Sequence, residues 1–427
     1  MLYFIDMEFL ERYLPIWSLK KEVLAPKMIF IAGPRQSGKT TLLEHFLAEE
    51  GCSSLFFNWD TPKVKALYLE DPTFFESEAR SLKKENRDVW VALDEIHKRA
   101  KWKDILKGYY DQFREDFRFV ISGSARLDLF RRTGDALIGR YFLFHLYPFS
   151  LPELGSRAFE DLTLWHDIAK HEKWSDLFDL VADHKPLPFD LWQQMYEFGP
   201  FPEPLLKGDK AFSNLWHQDY LSLYLREEIR DLTRISDIDG VETLVHLLSK
   251  RVGSILSINS LREDLQVSYG TVRAWLESLT TLYLIFALSP WQRKIHKSIK
   301  KEKKYYLHDW SYIPEKDKGP RFENMVAVGL NRLCNTLREN GLGSYELFFV
   351  RDLAKREVDF LVAKGEDPVL LIETKTDALK ISGYALNLAK KLGDIPIIQL
   401  NHRSGVLKKL SQKASVISAH HFFSCIP

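Results

Sequence analysis

One octapeptide restricts this chain more than any other part of it: Gly33-Pro-Arg-Gln-Ser-Gly-Lys-Thr40. It completes the pattern G-x-x-x-x-G-K-[ST]. An apolar run, Met28 to Ala32, precedes it, and a helical stretch, Lys39 to Ala48, follows. A chance Gly-Lys-Thr turn would not bring a strand and a helix with it. Glycines let the backbone curl so that successive N–H groups point at phosphate oxygens, and the following helix adds its positive N-terminal end. Lys39 is expected to reach the β- and γ-phosphates, and the Thr40 hydroxyl to bind Mg²⁺. The nucleotide expected is ATP, held by Gly33, Pro34, Arg35, Gln36, Ser37, Gly38, Lys39, Thr40 and Thr41.

A second buried-strand pattern, Val89-Trp-Val-Ala-Leu-Asp94-Glu95, ends in two acids. Downstream of such a loop, Asp94 is expected to hold Mg²⁺ with Thr40, and Glu95 to orient and polarise the attacking water. Two carboxylates favour hydrolysis over binding alone. Two further residues are candidates for catalysis beside Lys39 and Glu95. Ser124 closes Ser122-Gly-Ser124 after the run Phe117 to Ser122, where a polar group meets the γ-phosphate or water; a plain turn is the alternative. Arg140 is a candidate arginine finger, acting in cis or on a neighbouring subunit of a homo-oligomer; a structural ion pair is the alternative.

The remaining texture sets the fold class. Leu55 to Phe57 is another short apolar run, residues 8–25 read as a leading helix, and strands alternating with helical stretches predict a parallel α/β sheet up to residue 154. The 427 residues leave room for about two to four domains. A helical connector is expected over 155–240, rich in Trp, Phe and Leu, and a helix-turn-helix with a wing over 241–310. An α/β domain is expected over 311–427. With 60 basic and 59 acidic residues, no global charge points to nucleic acid, so any such affinity rests on a local patch. Three scattered cysteines, Cys52, Cys334 and Cys425, lack metal-ligand spacing and favour a reducing setting. The first ten residues carry Asp6 and Glu8 and no basic region, unlike a signal peptide. The apolar stretch near Leu282 to Pro290 is too short to span a bilayer. A soluble cytoplasmic protein with no membrane contact is expected.

Leu256 to Leu265 reads as a helix capped by Ser257 or Asn259, and Tyr269 to Leu282 as a second helix capped by Ser268. The tight turn between them suggests helix-turn-helix. The β-like runs Tyr283 to Leu288 and Lys304 to Leu307 make it winged. Arg293-Lys-Ile-His-Lys-Ser-Ile-Lys-Lys-Glu-Lys-Lys304 lies between those runs, where it is placed to track a phosphate backbone, of DNA before RNA. A solvated hairpin tip is the plain alternative.

Near the C-terminus, Arg356 to Ala363 and Val369 to Lys375 read as a hairpin. Glu373 and Lys375 share a face, and counting through the turn sets Asp359 nearly opposite Glu373. Paired carboxylates can hold a divalent metal while a lysine orients a water for phosphodiester attack. Glu323, on a helical stretch upstream, is the candidate fourth group. A salt-bridged hairpin face is the alternative.

Taken in order, Gly33 to Leu43, Ala92-Leu-Asp-Glu95, Ile121-Ser-Gly-Ser124, Gly139-Arg140, Tyr147-Pro-Phe-Ser150, Gly199-Pro-Phe-Pro-Glu203, Arg356-Glu-Val-Asp-Phe360 and Ile372-Glu-Thr-Lys375 resemble a family of bacterial and archaeal AAA-type ATPases. Its members carry a C-terminal domain of uncharacterised function with a PD-(D/E)xK nuclease-like fold. The resemblance implies Mg²⁺-dependent ATP hydrolysis, a middle winged helix and a restriction-endonuclease-like C-terminal fold. It transfers no substrate. An ATP-gated nuclease and a non-hydrolysing ATP switch acting on a protein partner are the competing functions.

Overall fold

The computed structural model describes residues 9–85, 88–124, 127, 137–171, 174–226, 237–292 and 302–427. The chain forms two compact units: an N-terminal one of Arg12–Pro148 with Thr281–Tyr283, and a C-terminal one holding Phe149–Thr280 and Leu284–Pro427. The segments expected as connector, winged helix and final domain all fall in the second.

The N-terminal unit is built on five parallel strands, β1 (Met28–Ala32), β2 (Phe56–Asn58), β3 (Trp90–Asp94), β4 (Arg118–Ser122) and β5 (Tyr141–His145), in the order β2-β3-β4-β1-β5. Every residue of β1 and β3 is buried, as expected of strands covered on both faces. Helix α1 (Lys39–Glu49) buries Leu42, Leu43, Phe46 and Leu47, and α2 (Trp102–Phe113) buries Leu106, Tyr109, Tyr110 and Phe113. Because the strands run one way, the polar residues ending β2, β3 and β4 gather at the edge where the loop after β1 begins. Chain order reverses beside β1, and ligands of open α/β sheets bind at such a switch point. The leading helix expected over 8–25 is instead a four-residue turn of helix, Leu14–Trp17, and a short 3₁₀ turn, Glu22–Leu24. Pro15 occupies the first helical turn, where its missing N–H does no harm; further inside a helix it would break one.

In the C-terminal unit, α3 (Phe189–Phe198), α4 (Lys210–Tyr224), α5 (Ile258–Leu265) and α6 (Tyr269–Thr281) precede a hairpin of β6 (Ile285–Leu288) and β7 (Lys304–Leu307). Ser257 caps α5 through Ser260 N–H at 3.4 Å, and Ser268 caps α6 through Thr271 N–H at 3.1 Å. Past β6, Trp291 N–H donates to Phe349 O and Phe349 N–H to Ser289 O, at 2.7 and 3.2 Å. Helix α7 (Lys318–Glu339) follows, and its Asn324 side chain satisfies both backbone groups of Leu307, at 2.8 and 2.7 Å.

After α7 come β8 (Tyr345–Arg351), β9 (Glu357–Lys364), β10 (Asp367–Lys375), α8 (Gly383–Lys391), β11 (Ile397–Asn401), β12 (Leu407–Ser411), β13 (Ala414–Ser418) and α9 (Ala419–Phe423). The sheet order is β12-β13-β11-β10-β9-β8, with β8-β9-β10 antiparallel and β10-β11-β13 parallel. Leu361, Leu371, Ala385, Ala389 and Ile397 share one core cluster, so α8 covers one face of the sheet. Strand alternation leaves Phe360, Val362, Leu370 and Ile372 for the other face, where α7 packs.

Candidate nucleotide-binding site

The loop after β1 has the conformation its glycines permit. Gly33 has φ +149° and Gly38 +92°, both in the region favouring glycine. A Cβ on Gly33 would lie 2.3 Å from Leu146 O, so no side chain fits there. Gln36, at φ +60°, bends the loop without that freedom. Lys39 is 7% exposed, and its ammonium donates to Gly33 O at 3.1 Å and Pro34 O at 2.6 Å, turned back into the loop that it serves.

Asp94, 1% exposed at the end of β3, gathers its neighbours' polar tips. Its Oδ2 accepts from Thr40 Oγ1 at 2.9 Å and Asn58 Nδ2 at 3.2 Å, and its Oδ1 from Ser122 Oγ at 2.5 Å. A hydroxyl and a carboxylate converging in this way are hard oxygen donors of the kind Mg²⁺ takes, so the residues fit the ion. Glu95 follows at φ +58°, a left-handed conformation that costs a non-glycine residue on the order of 1 kcal/mol. Two backbone bonds hold it, Glu95 N–H to Ser122 O at 2.9 Å and Lys98 N–H to Glu95 O at 3.0 Å. Its carboxylate is 3.3 Å from Lys98 Nζ and 3.4 Å from His97 Nε2. Burial raises the Glu95 pKa and outweighs the opposing charge of Lys98.

Ser124 is buried just beyond β4, on the edge that carries the loop. Arg140 is elsewhere. Its carbonyl accepts from Met28 N–H at the start of β1, a strand's length from the loop, and its guanidinium meets Asp111 of α2 at 3.0 and 3.3 Å. Within one chain this arginine does not face the phosphate loop, which corrects the cis-finger expectation. Three contributors were missed in sequence: Asn58, Ser122 and Arg12. Arg12, 6% exposed, donates through Nη1 to Ser37 O at 3.0 Å and through Nη2 to Tyr147 O. Only Ser122 lay in a segment already singled out.

The charged groups of the C-terminal unit are divided otherwise than expected. The β9–β10 ladder runs to Phe360–Ile372 and stops one pair short of Asp359 and Glu373. Asp359 Oδ2 instead accepts from Thr374 N–H and Oγ1, at 2.7 and 2.8 Å. Glu373, 4% exposed, spends both oxygens on Ser382 at the start of α8, at 2.7 and 3.1 Å. Lys375 ends β10 half-buried. The expected convergence of Asp359, Glu373 and Lys375 on one hairpin face is therefore corrected. Among the described residues no group of three or more His, Cys, Asp or Glu side chains is arranged to hold a metal ion.

Glu323 is within electrostatic reach of Asp359, in a cluster with Lys304, Tyr306 and Glu357. Lys304, 1% exposed, sets its ammonium 2.5 Å from Glu357 Oε1 and 3.5 Å from Glu323 Oε1, and Tyr306 OH donates to Glu323 at 2.8 Å. Burial and the charge of Asp359 raise the Glu323 pKa. Burial opposes the Lys304 ammonium, but Glu323 and Glu357 prevail and raise its pKa. Lys304 is thus an internal counter-ion and not part of a surface patch. Residues 293–301 of the basic run lie outside the described residues.

A Ser–His–Asp group also occurs here. His217 Nε2 is 2.7 Å from Ser311 Oγ and 3.0 Å from Asp309 Oδ2, while Nδ1 faces Ser213 Oγ at 3.3 Å. A nucleophilic triad needs its serine and acid on opposite ring nitrogens. Ser311 and Asp309 share one nitrogen, and Ser213, on the other, is buried in α4 itself, so the group serves as a clamp between α4 and the Asp309–Ser311 turn.

Residues 25–155 match a family model described as an AAA domain, and residues 189–313 match a domain of unknown function (DUF8612). The uncharacterized protein Rv2008c of Mycobacterium tuberculosis is 24% identical over 412 residues, 95% of this chain and 79% of the relative. The uncharacterized protein MJ1637 of Methanocaldococcus jannaschii is 23% identical over 293 residues, 64% of this chain and 60% of the relative. Among solved structures, the Aeropyrum pernix ORC1 protein in complex with DNA aligns at 14% identity, covering 73% of this chain and 88% of that one, with a TM-score of 0.28. The Saccharomyces cerevisiae Hsp104–ADP complex aligns at 13% identity, covering 74% and 45%, with a TM-score of 0.26. The phosphate-binding loop, the strand order and the family match agree that the N-terminal unit is an AAA-type P-loop domain, a nucleotide-binding domain.

Proposed function

We propose that this chain binds Mg-ATP and hydrolyses it, and that the hydrolytic cycle serves nucleic-acid binding by its C-terminal unit in a reducing, cytoplasmic setting. The observation that carries the first part is the gathering of Thr40, Asn58 and Ser122 on the Asp94 carboxylate, with Glu95 next in line. Thr40 and Asp94 would hold Mg²⁺, which supplies positive charge to the phosphate oxygens when bound. The loop N–H groups and Lys39 bind and orient the phosphates, and Lys39 must first leave the carbonyls of Gly33 and Pro34. Glu95 orients the attacking water and takes its proton; a pKa raised by burial suits that base role. Buried, unbridged Cys52, Cys334 and Cys425 are consistent with the compartment. No helix of the described residues is long and apolar enough to cross a membrane.

Phosphate release from Mg-ATP is the test. Lys39→Ala should abolish turnover, and Glu95→Gln should abolish it while ATP stays bound. Turnover unchanged in Lys39→Ala sinks the proposal, and tight ATP binding without turnover by the wild type favours the non-hydrolysing switch. For nucleic acid, the helix pair α5–α6 and the hairpin behind it support a winged helix, and the run Arg293 to Lys303 supplies the cations. Neutralising that run should weaken DNA retention and flatten its salt dependence; no change removes this part. Arg140 can act on phosphate only across a subunit boundary, so sedimentation with and without ATP tests that assignment.

A second reading concerns the C-terminal sheet. The element order α7-β8-β9-β10-α8-β11 supports a PD-(D/E)xK nuclease-like scaffold. With Asp359 and Glu373 committed to Thr374 and Ser382, that scaffold is expected not to cleave. Metal-dependent DNA cleavage that disappears in Asp359→Ala and Lys375→Ala would restore the nuclease.

A further inference from the structure

The Lys98 side chain touches both the base assigned above and the residue two places beyond β2. A 3₁₀ turn, Ile96–Lys98, brings it back over Glu95, three residues earlier. Its ammonium lies 3.3 Å from Glu95 Oε2 and forks onto both oxygens of Asp60, at 2.8 and 2.6 Å. Asp60 is just past β2, and its N–H donates to Asn58 Oδ1 at 2.8 Å. The other end of the same Asn58 amide donates to Asp94 Oδ2 at 3.2 Å. The contacts close a ring: Asp94, Asn58, Asp60, Lys98, Glu95. One short strand thereby braces both carboxylates that end β3. His97 Nε2 lies 3.4 Å from the same Glu95 oxygen.

We propose that Lys98 is a positioning residue for hydrolysis, with Asp60 as its anchor: it fixes the Glu95 carboxylate where the attacking water must be oriented. The proposal rests on the reading of Glu95 as the base. Glu95 needs such a brace because its left-handed backbone aims the side chain but leaves its own torsions free. A two-point hold on Lys98 removes much of that freedom, and the rate of a base-assisted step falls steeply when the base is misplaced. The pair is too exposed to matter much for stability: the side chains of Lys98 and Asp60 are 36% and 50% accessible. A rate effect without a stability effect is therefore its signature.

The experiment measures steady-state ATP turnover, equilibrium binding of a fluorescent ATP analogue, and thermal melting on the full chain. Lys98→Met should lower kcat about ten-fold, with KM and analogue affinity within about two-fold of wild type. Its melting temperature should stay within about 3 °C. Lys98→Arg should recover most of the rate. Asp60→Asn should lose less than Lys98→Met, and the double variant should be no worse than Lys98→Met alone, because both act through one contact. A kcat for Lys98→Met equal to or above wild type overturns the proposal. So does a loss shared equally by ATP affinity, and so does additive loss in the double variant. Glu95→Gln is the control: if it turns over normally, the base assignment fails and the positioning role falls with it, whereas a dead Glu95→Gln beside a normal Lys98→Met removes the positioning role alone.

Discussion

At Gly33 a single Cβ would press to 2.3 Å on the Leu146 carbonyl, and φ +149° is already closed to most side chains. Gly33→Ala should therefore weaken ATP binding by at least about ten-fold, read by fluorescent-analogue titration, since backbone cannot yield as a flexible side chain can. Ser122→Ala removes the shortest bond on Asp94 and no backbone group. Its expected effect is a fall in turnover of about ten-fold with affinity retained, measured by kcat against analogue affinity. The loop was legible in sequence because its spacing is local: glycine, lysine and threonine act within eight residues. Asp94 and Glu95 were legible for the same reason. Ser122, Asn58 and Arg12 were not, because each owes its position to strand order or to a long-range bond. In sequence Asn58 follows the short apolar run Leu55 to Phe57, and nothing there announces that β2 lies beside β3.

Among the elements, the hairpin β6–β7 shows most clearly where sequence reasoning fails. Lys304 closes a run of cations and reads as solvated; strand alternation puts it inside with Tyr306, against Glu323 and Glu357. Lys304→Met should destabilise the C-terminal unit by on the order of 3 kcal/mol, because it leaves two partly buried carboxylates without their cation, and urea unfolding monitored by tryptophan fluorescence would measure it. The Asp359–Glu373 hairpin was placed to within a residue or two, yet its chemistry was misjudged, because turn counting assumes a ladder that continues. Here the ladder stops and side chains take over the hydrogen bonding of Thr374 and Ser382. Strand β5 went unread, although Phe142 to Phe144 is an apolar run; it lies at the edge of the sheet, with Phe142 exposed and Phe144 buried.

Across the whole molecule, buried histidines make stability depend on pH. Burial, then the charge of His421, lowers the His420 pKa from 6.5 to about 4. The unfolded chain binds a proton below 6.5 that the folded chain refuses until about 4, so the stability is present above 6.5 and is lost as pH falls through that window. Denaturation midpoints should drop between pH 7.5 and 4.5, and the drop should be smaller in His420→Gln. The division into an α/β P-loop unit followed by a mixed-sheet unit was legible from the change of texture near residue 150. The inner boundaries were not, because the segments 155–240, 241–310 and 311–427 share one packed unit.

Arg12 gives the AAA-type unit a property that no motif describes. One rigid guanidinium holds the outer wall of the phosphate loop at Ser37 and the peptide at Tyr147, one residue before the chain leaves the unit at Pro148. Such a fork cannot follow one carbonyl without straining its bond to the other. The phosphate loop and the last turn of the unit are thereby coupled through a single side chain.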